Sequence, residues 1–476
     1  MHSKHSHLPI AVLGAGPVGL AAAAHLLQRG FTPIVFESGD QVGANLASYR
    51  HVRLFSAWQF NIDKAARALL LEHGWTAPPD EELPTAGALV DAYLKPLAAL
   101  PILAPHIKLE HRVVQISRAG VDKVKTRDRE SAPFLIRAAC IDGSREYLAR
   151  AVIDATGTWS QPNPLGASGL PALGEAEASA RIAYGMPDVL GGERDVYAGK
   201  RVLVVGAGHS AAGTLLALAQ LAVEVPGTRL VWAMRGNQLA KVFGGGEADG
   251  LPARGQLGMR FKALKESGQL ELHTNFRIQA LQAGLHGVDV VGAGGDGSRV
   301  VIEALDRIVA GTGARPDLAL TRELRVRHNP WLESTDALAP LIDPNEHSCG
   351  TVRPHGHREL AHPEPGYYAV GAKSYGRAPN FLMMTGYEQV RSVVAALAGD
   401  LAAADEVRLE LPETGVCNTR FSEAAPVTGA CCGGPAPVGS TSCCALDVAE
   451  KAKGASGCAT SAACRPNVPA ASGCCA

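Results

Sequence analysis

Gly14, Gly16 and Gly19 stand at GxGxxG spacing, and Glu37 follows 23 positions after the first of them. Glycines at that spacing suit a turn that holds a pyrophosphate. The first permits a tight turn, the second lets backbone approach the anion, and the third lets a helix pack closely on a strand. A carboxylate some 20 residues further on can accept hydrogen bonds from ribose hydroxyls. Gly206, Gly208 and Ala211 repeat the spacing as GxGxxA, with Ser210 in the turn. No acid follows the next apolar run there; Arg235 stands in its place. A guanidinium pairs with a 2′-phosphate that an acid would repel, so this second site suits NADPH rather than NADH. Two further turns, Asp154-Ala-Thr156-Gly157 and Gly311-Thr312-Gly313, each end an apolar strand where the chain would pass back over a bound nucleotide.

A different chemistry is written at the far end. Of eleven cysteines only Cys140 and Cys349 precede residue 400, and six of the rest form vicinal pairs: Cys431-Cys432, Cys443-Cys444 and Cys474-Cys475. Neighbouring soft thiolates suit thiophilic centres such as trivalent arsenic, Cu(I) or Hg(II). The tail has neither His nor CxxC spacing, so the usual zinc patterns fail. A redox relay and a low-complexity tail without specific role are the other readings of these residues. Disulfide stapling of a secreted fold would spread cysteines through the body, which is not the pattern here.

The elements that must position these groups are legible as periodicity. IAVLG, a helical AAAAHLLQ and TPIVFE form a strand–turn–helix–strand unit over 8–38, and KRVLVVGAGHSAAGTLLALAQL with RLVWAMRG forms a second from residue 200. HRVVQISR, PFLIRAACI, ARAVIDATG and RVVIEALDRIVAGTG read as further strands. The expected fold is α/β, with two Rossmann-like dinucleotide-binding domains. Residues 1–185 and 316–411 would form a discontinuous first domain, 186–315 an inserted second one, and 412–476 a flexible Cys-rich tail, because that segment cannot bury enough apolar surface to offset ordering entropy. A chain of 476 residues with 45 basic and 46 acidic side chains has a net charge of −1. That balance removes the electrostatic case for nucleic acid or an anionic membrane as main partner. No apolar run of about 18 residues exists to span a bilayer, and Met1 to Pro9 has no signal-peptide pattern, so a cytoplasmic location is expected.

With two glycine motifs and two strand–Thr-Gly turns in this order, the chain resembles flavoproteins with two dinucleotide-binding domains. Within them it is most similar to the class B flavin monooxygenases, over about residues 8–400. The stretches that carry the likeness, beside the glycine motifs, are GANLASYRHVRLFSAWQFNID, Tyr197-Ala-Gly-Lys200 and GYYAVGAKSYGRAPNFLMMTGYEQVRSVVAALAG. The resemblance implies FAD in the first site, NADPH in the second, and a small-molecule substrate oxygenated with O2. By the same match Asn61 would hydrogen bond a flavin peroxide and Trp58 would shape the pocket, while Asp63 reads as a local helix cap. Gly371 would let backbone approach the flavin side chain. The helix from TGYEQ, carrying Glu388, would aim its N-terminus at the pyrimidine edge and favour the reduced anion. One departure stands out: YGMPDVLGGERDVY contains no His where the family fingerprint has one, so the resemblance does not extend to that way of holding NADP⁺. Tail included, the chain is similar to flavin monooxygenases encoded in bacterial arsenic-resistance operons, which implies an arsenic-linked role. The competing reading is an NADPH-dependent thiol, disulfide or metalloid reductase that works through the tail cysteines.

Overall fold

The computed structural model describes residues 5–239, 243, 252–284, 286–347 and 352–409. All three vicinal cysteine pairs and Cys349 lie outside the described residues. The expected strand–turn–helix–strand unit forms at the start of the chain: β1 (Ile10–Leu13), α1 (Pro17–Gln28) and β2 (Pro33–Phe36). The next elements are α2 (Lys64–Glu72), the short β3 (Ile107–Lys108), and an antiparallel meander of β4 (Arg112–Arg118), β5 (Phe134–Cys140) and β6 (Gly143–Ala149). β7 (Ala151–Asp154) then returns beside β1.

The second unit comprises β8 (Ile182–Tyr184), β9 (Arg201–Val205), α3 (His209–Glu224), β10 (Arg229–Ala233), α4 (Pro252–Glu266) and β11 (Leu270–His273). A second antiparallel meander of β12 (Arg277–Gly284), β13 (Gly287–Ala293) and β14 (Arg299–Leu305) precedes β15 (Arg307–Ala310). Last come β16 (Tyr367–Ala369) and α5 (Met383–Leu397).

The two parallel sheets have the orders β16-β7-β1-β2-β3 and β11-β10-β9-β15-β8. The mixed α/β fold with parallel sheets is therefore the one expected. β16 rejoins the first sheet only after the chain has completed the second, so the second lobe is an insertion in the first. β8 lies ahead of the expected boundary at 186 yet pairs with β15; the second lobe starts earlier than the composition suggested.

Alternation along the strands builds both cores. Ile10 and Val12 face the helices, while Ala11 and Leu13 face the β4–β6 meander; Val202 and Val204 face α3, while Leu203 and Val205 face the β12–β14 meander. Each lobe is thus a parallel sheet with helices on one face and an antiparallel meander on the other. Strands buried on both faces need continuous apolar runs, and IAVL and VLVV supply them. Each such Val, Leu or Ile contributes about 1.5–3 kcal/mol by burial. β6 was not foreseen: its first four residues are exposed, so it shows no inward-outward pattern, and its place is fixed by pairing with β5, where Arg137 Nη2 meets Glu146 Oε1 at 2.6 Å.

Candidate functional site

At the carboxyl end of β1 the chain turns through Gly14 at φ +92°, a conformation that L side chains rarely adopt, and a Cβ there would lie 2.8 Å from the Ala155 carbonyl oxygen. A Cβ on Gly19 would collide with the carbonyl of Gly14, so the third glycine is what seats α1 against the turn. Gly16 differs. It caps α1 with extended backbone (φ −78°), and a Cβ built on it meets nothing within 4 Å. The space over that helix N-terminus is open to a ligand, and the unpaired N–H groups of the first turn favour an anion. Glu37, buried at the end of β2, is held by the turn itself: Oε2 accepts from Ala15 N (2.8 Å) and Oε1 from Gly39 N (2.9 Å). These bonds fix where its carboxylate stands beside the opening.

Thr156 and Gly157 follow β7. Gly157 has φ +69° and open space at its Cβ position. The Thr156 side chain is turned inward: its hydroxyl donates to Asp154 Oδ1 (2.7 Å) and accepts from Lys373 Nζ (3.0 Å). The Thr156 hydroxyl is thus engaged within the protein, its proton committed to Asp154 and one of its two lone pairs to Lys373. Asp154 is fully buried and its Oδ2 receives both Lys373 Nζ (2.6 Å) and the Tyr367 hydroxyl (2.9 Å). Burial alone would push the Asp154 carboxyl up; the Lys373 ammonium and the Thr156 hydrogen bonds more than offset this and hold it below the ordinary carboxylate value. Tyr367, pushed well above the usual phenol range by burial and by Asp154, stays protonated and donates. This network ties the turn after β7 to the one after β16, where Gly371 stands at φ +66° with Val18 of α1 packed 3.3 Å from its Cβ position.

The first turn of α5 lies against the same Val18, since a Cβ on Gly386 would come within 2.7 Å of its Cγ2. Two helix N-termini, those of α1 and α5, therefore meet beside Gly371. The α5 N-terminus has no side-chain cap. Glu388, one turn on, faces elsewhere. Its carboxylate takes Arg391 in two hydrogen bonds (2.9 and 2.7 Å) and Arg408 N at 3.1 Å, and it lines a cavity of about 270 Å³ with His25 and Arg29, near the far end of α1. Its assignment as a cofactor contact is corrected on that ground.

Asn61 is buried, with Nδ2 donating to the carbonyls of Ser56 (2.7 Å) and Ala57 (2.8 Å). These bonds close the one-turn 3-10 helix Trp58–Phe60, leaving Oδ1 as the side chain's unassigned acceptor. Its backbone carbonyl accepts from the Tyr387 hydroxyl on α5 at 2.7 Å. Trp58 is buried in the first lobe's core, and Asp63 caps α2 by accepting from Ala66 N, the local role expected of it. The segment that carries Asn61 reaches both nucleotide turns. Gly43 N donates to Ala15 O at 3.0 Å, and the Phe55 ring lies 5.2 Å from that of His209, the first residue of α3.

The second turn repeats the first. Gly206 has φ +134°, and a Cβ there would strike the Gly311 carbonyl; Gly208 caps α3 with open space around it. Ala211 is buried where Gly19 stands in the first lobe, and Ser210 is half-buried in the first turn of α3. The Arg235 guanidinium is exposed; among the described residues it has one long contact, Ala167 O at 3.4 Å. Thr312 is turned away from the opening, donating to Asn163 O at 2.5 Å, while Asn163 Nδ2 donates back to Thr312 O at 3.1 Å. Asn163 N also donates to Gly313 O, and Arg315 N to Gln161 O, both at 2.9 Å. The outgoing and returning chain segments between the lobes thus run as a paired antiparallel ribbon. Beside it Trp159 packs on Tyr49 with the rings tilted (centroids 4.5 Å apart) and donates Nε1 to Ser48 Oγ (3.0 Å). Lys373, Tyr367, Gln389, His355 and Trp159 were not foreseen; the one clue was a lysine inside the otherwise apolar and small stretch around Gly371.

Comparison with known proteins agrees with this architecture. The indole-3-pyruvate monooxygenase YUCCA1 of Oryza sativa subsp. japonica is 29% identical over 201 residues. The match spans 42% of this chain and 42% of that relative. Among solved structures, the bacillithiol disulfide reductase Bdr of Bacillus cereus superposes with a TM-score of 0.58 at 20% identity, covering 82% of this chain and 99% of that one. The FAD-bound cadaverine monooxygenase DfoA of Erwinia amylovora gives 0.56 at 12% identity, covering 86% and 98%. Such identities carry the fold, which these two chemistries share. The family model of the pyridine nucleotide-disulphide oxidoreductases matches residues 11–349. With two open glycine turns on two parallel sheets and that match over most of its length, the chain belongs to the pyridine nucleotide-disulphide oxidoreductase family and is an oxidoreductase.

Proposed function

We propose that the protein is an NADPH-dependent FAD monooxygenase acting on a small molecule. The observation that carries the reading is the course of the segment bearing Asn61, which touches the first nucleotide turn through Gly43 and the first residue of α3 through Phe55. A group held there lies between the two dinucleotide sites, where an oxygen-transferring flavoprotein needs its substrate. The residues present fit FAD: Gly16 and Gly157 leave Cβ-sized openings, Glu37 offers a fixed ribose acceptor, and the α1 N-terminus offers N–H donors to a diphosphate. Gly208, Ser210 and Arg235 would hold NADPH, with the guanidinium on the 2′-phosphate. Bound FAD supplies the acceptance of a hydride equivalent and the transfer of one oxygen atom from O2 to a soft heteroatom or carbonyl. The chain's own work is orientation and exclusion of water. Trp58 and the Asn61 backbone pack the wall, and the Asn61 carboxamide oxygen is its free polar group.

The experiment is anaerobic reduction by NADPH and by NADH, followed by O2 uptake with candidate substrates, trivalent arsenicals first. FAD in stoichiometric amount, NADPH preference and substrate-coupled O2 consumption support the reading. Reoxidation that only makes hydrogen peroxide with every substrate, while tail disulfides are reduced, moves the assignment to the second reading.

That second reading is an NADPH-dependent thiol or metalloid reductase, and the three vicinal cysteine pairs favour it. In either case the tail is proposed as a ligand for trivalent arsenic, which would tie the enzyme to arsenic resistance in the cytoplasm. Full-length protein should bind trivalent arsenic at least tenfold more tightly than residues 1–411; equal affinity sinks the tail assignment.

A further inference from the structure

Behind the Gly371 turn lies a chain of buried directional bonds to which none of the roles above has been given. Gln389, on α5, has no exposed surface. Its Oε1 accepts from Gly371 N at 2.7 Å, and its Nε2 donates to Ser374 Oγ and to His355 Nε2, both at 2.9 Å. Ser374 Oγ in turn donates to Gly371 O at 2.8 Å. His355 is 5% exposed, and its Nδ1 lies 2.9 Å from the Arg353 carbonyl. A carbonyl can only accept, so Nδ1 carries the proton and Nε2 presents a lone pair. The imidazole is therefore neutral, and its lone pair fixes which way the Gln389 amide points. With the amide reversed, an NH2 group would face the Gly371 N–H.

We propose that Gln389, oriented by the neutral imidazole of His355, is the positioning residue of the Gly371 turn and makes retention of the flavin nucleotide sensitive to protons. The proposal rests on the reading that this turn borders bound FAD. Protonation of Nε2 would turn it into a donor facing the donor Nε2 of Gln389. The amide would then rotate, and Gly371 would lose its acceptor.

Several groups around the imidazole act on it. Burial opposes its charge; the Arg353 carbonyl and the Glu359 and Glu388 carboxylates favour it. Glu388 is already paired with Arg391, and the Tyr375 ring covers the imidazole at 5.6 Å. Burial wins, so His355 titrates below the ordinary histidine value. The orienting bond is then intact at neutral pH and is lost as pH falls through that lowered value.

The test is release of FAD from full-length holoenzyme against pH, followed by flavin fluorescence. Wild type, His355→Gln, whose amide oxygen can accept from Gln389 without titrating, and Gln389→Leu would be compared. Thermal unfolding of the apo forms would report on folding. Wild type should lose FAD with a midpoint below the ordinary histidine value. His355→Gln should keep its neutral-pH affinity within about threefold and lack that midpoint. Gln389→Leu should bind FAD about tenfold or more weakly at neutral pH, the cost of stranding buried partners. The same midpoint in His355→Gln overturns the proposal, as does unchanged affinity in Gln389→Leu. Wild type that takes up no FAD overturns the cofactor reading instead.

Discussion

Lys373 is an ammonium with almost no exposed surface, opposite a carboxylate with none. Removing one member of such a pair leaves the other charge uncompensated in a low-dielectric interior. Lys373→Met should therefore cost about 3–5 kcal/mol in urea unfolding, and the Asp154→Asn, Lys373→Met double variant markedly less. A double variant as unstable as the single one would refute this. Because Asp154 is held below the ordinary carboxylate value, its contribution is present at neutral pH and is lost as pH falls through the folded value. Arg235 belongs to the same scale with the opposite exposure. Arg235→Ala should raise KM for NADPH about tenfold or more, the worth of one charge-assisted pair, and leave KM for NADH nearly unchanged. Arg235 is a candidate on sequence grounds because it stands in a motif position, and the KM comparison tests that reading. Asp154 and Lys373 lie far apart along the chain, and only the parallel pairing of β7 and β16 brings them together.

At the scale of elements, the two glycines of one motif separate folding from binding. Gly19→Ala drives a Cβ into the Gly14 carbonyl and forces α1 off its strand, so apo-protein stability should fall by about 1–3 kcal/mol or more. Gly16→Ala meets no protein atom and keeps an allowed φ, so the apo-protein should melt within a degree or two of wild type while losing FAD affinity. A Gly16→Ala protein that binds FAD normally would show that the opening is not the diphosphate site. Strand–turn–helix units were legible because β1, β9 and their helices carry unbroken apolar or alanine-rich runs. β6 and β8 were not: β6 is an edge strand exposed on most positions, β8 an edge strand of three residues, and each is specified by its neighbour rather than by its own pattern. The inward turn of Thr156 and Thr312 was equally unreadable: a Thr-Gly turn looks the same whichever way its hydroxyl points.

For the whole molecule, the two lobes solve one problem twice, each placing helices on one face of a parallel sheet and a meander on the other. That duplication was visible as two glycine motifs, while the insertion of one lobe into the other is shown by β16 returning to pair with β7. Among the described residues the Phe55–His209 contact and the ribbon in which 161–163 pairs with 313–315 join them. Phe55→Ala should slow hydride transfer from NADPH several-fold with little change in FAD content, which stopped-flow reduction would read. The ribbon also carries a mechanical consequence. Two hydrogen-bonded strands bend readily out of their common plane but resist stretching and shearing within it. The two segments that carry the second lobe are thus locked in register: neither slides along the other without breaking the Asn163–Gly313 and Arg315–Gln161 bonds.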